Sequence, residues 1–488
     1  MSGIGLINVL LPVRMNLDGL STEVIGIVLS LYYVGLLIGA LYSTSLIKRA
    51  GHIRMFAGCV SLGAASILLC SLHSDAALWG AMRVVMGFCI ACAFTAMESW
   101  LSDSSSKETR GQVLAIYNAV VLAGLFGGQF LINVASAKDN MLFVIAGILM
   151  CIAVIPVVMS RHAGPILEEF SSMSLRLLYK RSPLGVVSCL ISGMLYSAIF
   201  NLLPVFARGV DITGFQLSLY MGAAIFGAFI LQFPVGYLSD RFDRRTVLLV
   251  MLIISASAGI GVTILASLGI IWAVFLATAI TCGIIACTYP LSISEALDRL
   301  RQSEMVSAMS SMILAFAVGG ILGPYSASLM MDKFGGSALF YFLAFIQLSL
   351  ACFVIYRMTV RSSLPIDEQE QFVMQGSVIT SAVELDPRTE YHEPQHLPRA
   401  VVKTSLMVAE ADPELAIDLC VALAKIKLGR GLAVAKALVI LPNINAVNLY
   451  QTLSNALPEH SVKLKAALVS VKPELADELA KATPTNLS

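Results

Sequence analysis

Eleven stretches of this chain are so long and so apolar that they leave few folds open. Runs at 22–47, 53–73, 76–99, 110–135, 141–160, 183–206, 213–237, 246–268, 270–290, 305–331 and 337–357 each hold about 20 or more mostly apolar residues. A helix rises ~1.5 Å per residue, so each run can cross the ~30 Å hydrocarbon core of a bilayer. In lipid every backbone N–H and C=O must be satisfied within the segment, and for separate runs of this length that means α-helix. Composition agrees: 57% of the 488 residues are hydrophobic and 13% charged, with a mean hydropathy of +0.83, whereas soluble domains carry about 25% charged residues. The chain reads as an all-α polytopic membrane protein.

A twelfth candidate, "MSGIGLINVLLPVRMN", opens the chain. Its apolar part before Arg14 covers about half a bilayer, and it lacks the basic region and cleavage site of a secretory signal. The expectation is the outer half of a first helix that begins upstream of Met1, with a short native helix as the alternative. A net charge of +1 gives no reason to expect a nucleic-acid partner. The ten cysteines are scattered through apolar runs, which suggests neither a disulfide framework nor a metal site, and no cofactor is called for. Cys89 and Cys92 form a C-x-x-C inside a hydrophobic helix, where packing is the simpler reading.

Lys and Arg set the expected orientation. Alternate loops hold sixteen of them, from Lys48, Arg49 and Arg54 through Arg241, Arg244 and Arg245 to Arg357 and Arg361, against Arg14, Lys138, Arg208 and Lys333 in the opposite loops. The positive-inside rule places the first set, and the C-terminal tail, in the cytoplasm.

The chain also repeats itself. "GLLIGALYSTSLIKRAGHIR" (35–54) aligns with "GAFILQFPVGYLSDRFDRR" (227–245), setting Gly35 on Gly227 at an offset of 192. "MESWLSDSSSKETRG" (97–111) aligns with "SEALDRLRQSEMVS" (294–307), setting Glu98 on Glu295 at an offset of 197. Beyond each acid comes a glycine-rich helix segment, "GLFGGQ" (124–129) or "GGILGP" (319–324). The reading is two six-helix bundles, 1–160 and 183–358, joined by a cytoplasmic linker over 161–182.

With "GYLSDRFDRR" between the eighth and ninth spans of a six-plus-six repeat, the chain resembles the major facilitator superfamily of secondary transporters. The family's loop motif, roughly G-x-L-a-D-r-x-G-r-k, falls on Gly236, Leu238, Asp240, Arg241, Arg244 and Arg245, with Asp243 where a second Gly is expected. The first-half copy is degenerate, with Thr44 for the leading Gly and Lys48 for the Asp, while Arg49, Gly51 and Arg54 remain. "RVVMG" (83–87) is similar to the R-x-x-x-G of the fourth span. "ESWLSDSSSKETRGQVLAIYNAVV" and "SLYYVGLLIGAL" look most like the YcaD-like bacterial branch. The resemblance covers roughly residues 1–358. It implies a twelve-helix transporter of the inner membrane, a monomeric unit moving a small organic solute by alternating access, with proton coupling as one option.

Several residues gain expected roles. Asp240 with Arg241 and Arg244 can form an ion-pair network at the inner face, strengthened if Asp240 lies at a helix N-terminus. Glu98 and Glu295 are natural partners for Arg49, Arg54, Arg241 and Arg245. By resemblance such a network binds the halves and closes the inner gate; the plainer reading is loop anchoring. Glu98 is also the candidate proton-binding group. Arg83 is the clearest buried charge, placed either to hold an anionic solute or to bond backbone carbonyls of the first span near Asn8. The i, i+4 pairs Gly35 and Gly39, Gly124 and Gly128, and Gly319 and Gly323, together with Gly87 and Pro324, read as helix-packing positions. Asn8, Tyr32, Tyr33, Gln129, Asn133, Tyr196, Asn201, Gln232 and Tyr289 are the other cavity candidates, suggesting a neutral or zwitterionic, partly aromatic solute.

The tail differs in kind. Residues 359–399 read as a flexible polar linker, and 400–488 as a small helical module whose amphipathic segments include "DPELAIDL" and its echo "KPELADEL". The module is a candidate site for a protein partner. That leaves a second reading, a non-transporting receptor or scaffold signalling through the module. Deleting the tail should spare a transporter's flux and abolish a sensor's output.

Overall fold

The computed structural model describes residues 1–105, 109–159, 173–300, 302–360, 369, 372–373, 399–426, 428–469, 471–475 and 479. Among them the chain is helical and forms no strand, and it divides into two compact units, Met1–Glu390 and Tyr391–Ser488. Most of the 161–182 linker and of the 359–399 segment lies outside the described residues.

Among its described residues the first unit contains eleven helical stretches long and apolar enough to cross a membrane, one of them formed by α9 and α10 below. In chain order it comprises α1 (Ser2–Leu17), α2 (Thr22–Ala50), α3 (His52–Leu72), α4 (Ala76–Ser104), α5 (Arg110–Phe130), α6 (Met141–Val158), the short α7 (Leu175–Arg181), α8 (Pro183–Gly209), α9 (Phe215–Ile230), α10 (Gln232–Arg241), α11 (Arg244–Ser267), α12 (Ile271–Leu297), α13 (Gln302–Phe334) and α14 (Ala338–Val360). The stretch read as one span over 213–237 is one of the eleven, Phe215–Arg241, with a one-residue turn at Leu231. α9 ends at Ile230 and α10 restarts at Gln232, placing Pro234 in a first turn, where its missing N–H costs nothing. α1, at 16 residues, is shorter than a span. Helices such as α6 turn Ile148, Ile152 and Ile155 outward, because in lipid an exposed apolar face carries no penalty.

The two halves are built alike. α1 packs on α5, α2 on α4 and α3 on α6; in the second half α8 packs on α13, α9 on α12 and α11 on α14. The halves meet through α2 against α13 and α5 against α9, which the repeat exchanges. The aligned glycines make the same contact: a Cβ on Gly35 would lie 1.9 Å from the Val84 carbonyl oxygen, and one on Gly227 would lie 2.3 Å from that of Ala279.

The second unit packs α15 (Arg399–Ala411), α16 (Pro413–Ile426), α17 (Leu428–Leu438), α18 (Ala446–Ala456) and α19 (Ser461–Val469) around Ala416, Cys420, Leu438, Leu449 and Leu464. The Asp412 carboxylate accepts from the amides of Glu414 and Leu415 at 3.1 and 3.2 Å, and Pro413 takes the first helical position. The segment expected to be helical from Pro473 opens with a 3-10 turn, Pro473–Leu475, and Leu479 beyond it is helical.

Candidate functional site

The centre of the first unit is set by how closely α2 and α4 approach. A Cβ on Gly87 would sit 1.9 Å from the Tyr32 carbonyl oxygen, and Gly35 is equally tight against Val84, so backbone touches backbone. One turn before Gly87, Arg83 is thereby laid over the Tyr32 ring, its guanidinium carbon 4.6 Å from the centroid. In the other half a Cβ on Gly319 would meet the Leu190 carbonyl at 1.9 Å, and one on Gly193 that of Phe316 at 2.1 Å. That approach brings α13 against α8, with Phe316 beside Tyr196.

Between the halves lies a cavity of ≈ 70 Å³, room for about five waters at ~10–15 Å³ each. Its polar lining is Asn8, Tyr32, Tyr33, Arg83, Gln129, Tyr196 and Asn201, and Phe94, Phe200 and Phe316 add an aromatic wall. Arg83 is 2% exposed. Its Nη2 donates to Asn201 Oδ1 at 3.4 Å, while its Nε and Nη1 have no partner among the described residues. Asn201 Nδ2 donates to the Tyr33 hydroxyl at 3.3 Å and to the Ser197 carbonyl at 2.8 Å. Among the described residues no carboxylate lines the cavity, so a buried cation faces it without a described counter-charge.

Away from the basic loops the halves are tied together. Asn133 Nδ2 donates to Ser218 Oγ at 2.7 Å, Ser218 Oγ to the Gln129 carbonyl at 3.0 Å, and Arg208 Nη1 to the Val13 carbonyl at 3.4 Å. At the basic end, Arg244 pairs with Asp298 at 3.3 Å, Arg245 with Glu295 at 3.4 Å and Arg299 with Glu295 at 3.1 Å, all nearly buried. Glu98 is 1% exposed and accepts from the Tyr117 hydroxyl at 3.1 Å. His52 Nε2 lies 3.2 Å from the hydroxyl of neighbouring Ser99.

Residues 1–229 and 186–408 both match the family model of the Major Facilitator Superfamily. The chain belongs to that superfamily. Curated relatives include the "Uncharacterized MFS-type transporter YcaD" of Shigella flexneri and of Escherichia coli (strain SE11), each 28% identical over 354 residues, 70% of this chain and 88% of the relative. Among solved structures, that of the nucleoside transporter NupG matches with a TM-score of 0.60 at 13% identity, covering 74% of this chain and 96% of NupG. A bacterial homologue of the human lysosomal transporter Spinster, inward-facing and occupied, matches with 0.56 at 15%, covering 76% of this chain and 95% of the homologue. At those identities the likeness concerns the fold. This facilitator is a multi-pass membrane protein and a secondary transporter of the YcaD-like branch.

Within the facilitator fold several sequence expectations need correction. Asp240 lies in the last turn of α10, not at a helix N-terminus. Its carboxylate accepts from the Phe372 amide at 2.7 Å, and Arg241 covers the Tyr237 ring at 4.2 Å, so neither joins an ion pair among the described residues. Arg49 and Arg54 are exposed and likewise have no described ion pair. The Arg244–Asp298 and Arg245–Glu295 pairs join α11 to the end of α12, inside one half, and Arg181 of α7 pairs with Glu304 of α13. Asp298, the partner of Arg244, is not among the expected site residues. Arg83 bonds Asn201 rather than carbonyls of the first helix. Asn133, Gln232 and Tyr289 lie off the cavity: Asn133 ties the halves, Gln232 bonds the Ala228 carbonyl, and Tyr289 stands edge-on to Phe316.

The remaining glycines stand off the cavity too, at helix contacts rather than at its wall. A Cβ on Gly39 would lie 2.7 Å from the Phe88 carbonyl oxygen of α4, and one on Gly124 would lie 2.6 Å from the Met1 side chain. A Cβ on Gly128 would come within 2.3 Å of the Ser2 carbonyl oxygen of α1, and one on Gly323 within 2.2 Å of that of Met194 on α8. Pro324 continues α13 beside Gly323.

Proposed function

We propose that this facilitator carries a small organic anion with an apolar or aromatic body, held in the central cavity by Arg83. The observation that carries the reading is the Arg83 guanidinium, 2% exposed, with Nε and Nη1 unpartnered among the described residues on a wall that has no acid. A buried charge is costly unless something pairs with it, and a carboxylate supplies the matching two-oxygen geometry. Tyr32, Tyr33, Tyr196 and Phe200 offer faces for the body of the solute. This narrows the neutral or zwitterionic expectation to solutes with an anionic group. A cavity of ≈ 70 Å³ is too small for most such solutes, so entry requires the halves to part, as alternating access demands.

In the same reading the basic loops face the cytoplasm of a bacterial inner membrane. The Arg244–Asp298 and Arg245–Glu295–Arg299 pairs make the second half a rigid body that rocks as one piece. Glu98 is the proposed proton carrier. The test is uptake into proteoliposomes of matched pairs of carboxylates and their uncharged amides. The carboxylates are expected to accumulate and the amides not; Arg83→Gln should lower apparent affinity at least tenfold, with partial recovery in Arg83→Lys. Amides carried as well as acids, or full affinity in Arg83→Gln, would refute it.

A further inference from the structure

We infer that Asn201 is the resting occupant of the solute's place on Arg83: its carbonyl oxygen is displaced when an anion binds, and this exchange sets selectivity and loosens the two halves. The inference rests on the anion reading above. Asn201 stands on α8, in the second half, whereas Arg83 and Tyr33 belong to α4 and α2, in the first. One side chain therefore bridges the halves at the cavity wall, bonding Arg83 at 3.4 Å and Tyr33 at 3.3 Å.

The amide has no freedom in how it presents itself. The Ser197 carbonyl, one turn back on α8, can only accept, so Nδ2 must face it at 2.8 Å, and Oδ1 is left pointing at Arg83. The two bonds across the halves are at the long end of the normal range. A carboxylate on the same guanidinium makes shorter, charge-assisted bonds and wins the competition. Each two-nitrogen fork of a guanidinium includes one nitrogen in common, and here that nitrogen is Nη2, the one Asn201 holds. Nη2 carries two N–H donors, one directed into each fork; an anion that spans the fork whose donor Asn201 holds comes against Asn201 Oδ1, acceptor facing acceptor. Turning the amide would relieve that clash but set Oδ1 against the Ser197 carbonyl. The side chain must instead withdraw, and its bridge to Arg83 goes with it.

What then holds the halves at the far end is the group formed by Asn133, Ser218, Gln129 and the Arg208 contact to Val13. Solute binding thus favours the state in which the halves separate there, because it removes a contact that only the closed state makes. A permanent acid at position 201 would do the reverse, holding Arg83 as an internal counter-ion and excluding the solute.

The experiment uses the full chain with paramagnetic labels at Asp139→Cys, in the loop before α6, and Ser267→Cys, at the end of α11, both opposite the basic end, after replacing the exposed Cys151 and Cys352 by Ser. Distances are measured without solute, with benzoate and with benzamide, alongside benzoate affinity. Asn201→Ala is expected to lengthen the solute-free distance towards that of the benzoate-bound wild type, with benzoate affinity unchanged or higher. Asn201→Asp should keep the short distance and weaken benzoate at least tenfold. If Asn201→Ala leaves the solute-free distance as in wild type and loses benzoate as Arg83→Gln does, Asn201 is an ordinary solute contact and the inference falls. Wild type that ignores benzoate, or binds benzamide equally, overturns the anion reading and the exchange at Arg83 together. The solute-free distance in Asn201→Ala still judges the bridge separately.

Discussion

Among single residues, the charges that matter most are those the fold hides. Arg244 and Asp298 are almost fully buried and lie 3.3 Å apart, whereas Asp240, the acid most conspicuous in the loop motif, stays near the surface and caps a backbone amide. Removing one member of a buried pair strands the other in low dielectric, at a cost of about 3 kcal/mol or more. Asp298→Asn is therefore expected to lower the thermal unfolding midpoint in detergent clearly, and Asp240→Asn to shift it by no more than an exposed contact does. Asp240 stands out in the sequence because it sits with Arg241, Asp243, Arg244 and Arg245 in one short stretch. Asp298 does not, because its partner is remote in the chain and only the packing of α11 on α12 brings them together.

For the helices as elements, the close pairs decide where the cavity side chains point. Gly87 and Gly35 let α4 meet α2 backbone to backbone, and that spacing sets Arg83 over Tyr32. Gly87→Leu must push the helices apart, which overpacking data put at ~1–3 kcal/mol; solute affinity should fall with stability, since Arg83 moves too. Gly58→Ala on α3, where a new Cβ meets nothing within 4 Å, is the control and should be neutral or slightly stabilising. Thermal unfolding and binding measured on both variants check this. In the second unit, Cys420 on α16 is buried and donates to the Gly431 carbonyl at 3.3 Å, and burial pushes its thiol up to about 12. At pH 8 the thiol is protonated and shielded, so maleimide should label it only once the module unfolds; rapid labelling of the native chain would contradict that packing. The small residues i and i+4 apart, such as Gly35 and Gly39, are legible as packing positions, but which helix each one meets is not.

Across the whole molecule, a duplicated bundle with a buried cation facing its cavity and an acid near the basic end suggests how charge is balanced through a cycle. If a monoanion bound at Arg83 travels with one proton on Glu98, the complex crosses without net charge. A membrane potential is worth about 2.3 kcal/mol per charge per 100 mV, so uptake is expected to follow a pH gradient and ignore an imposed potential. Glu98→Gln should abolish accumulation while sparing solute exchange. Potential-driven uptake, or gradient-driven accumulation that survives Glu98→Gln, would exclude this coupling.

The class of fold and its duplication are written in the chain order alone. Hydropathy over about 20 residues, glycine spacing and charged loops are local signals, and a bilayer allows a long apolar run few conformations. Arg83 is equally plain there, because a lone charge in an apolar run is visible without coordinates. Folding in three dimensions was needed to put the ion pairs within one half, to set Asn133, Gln232 and Tyr289 off the cavity, and to bring Asn201 to Arg83 across 118 residues. Each of these depends on which helices touch and how each is rotated about its axis. That rotation is set by packing among many side chains at once, and no short stretch of sequence carries it.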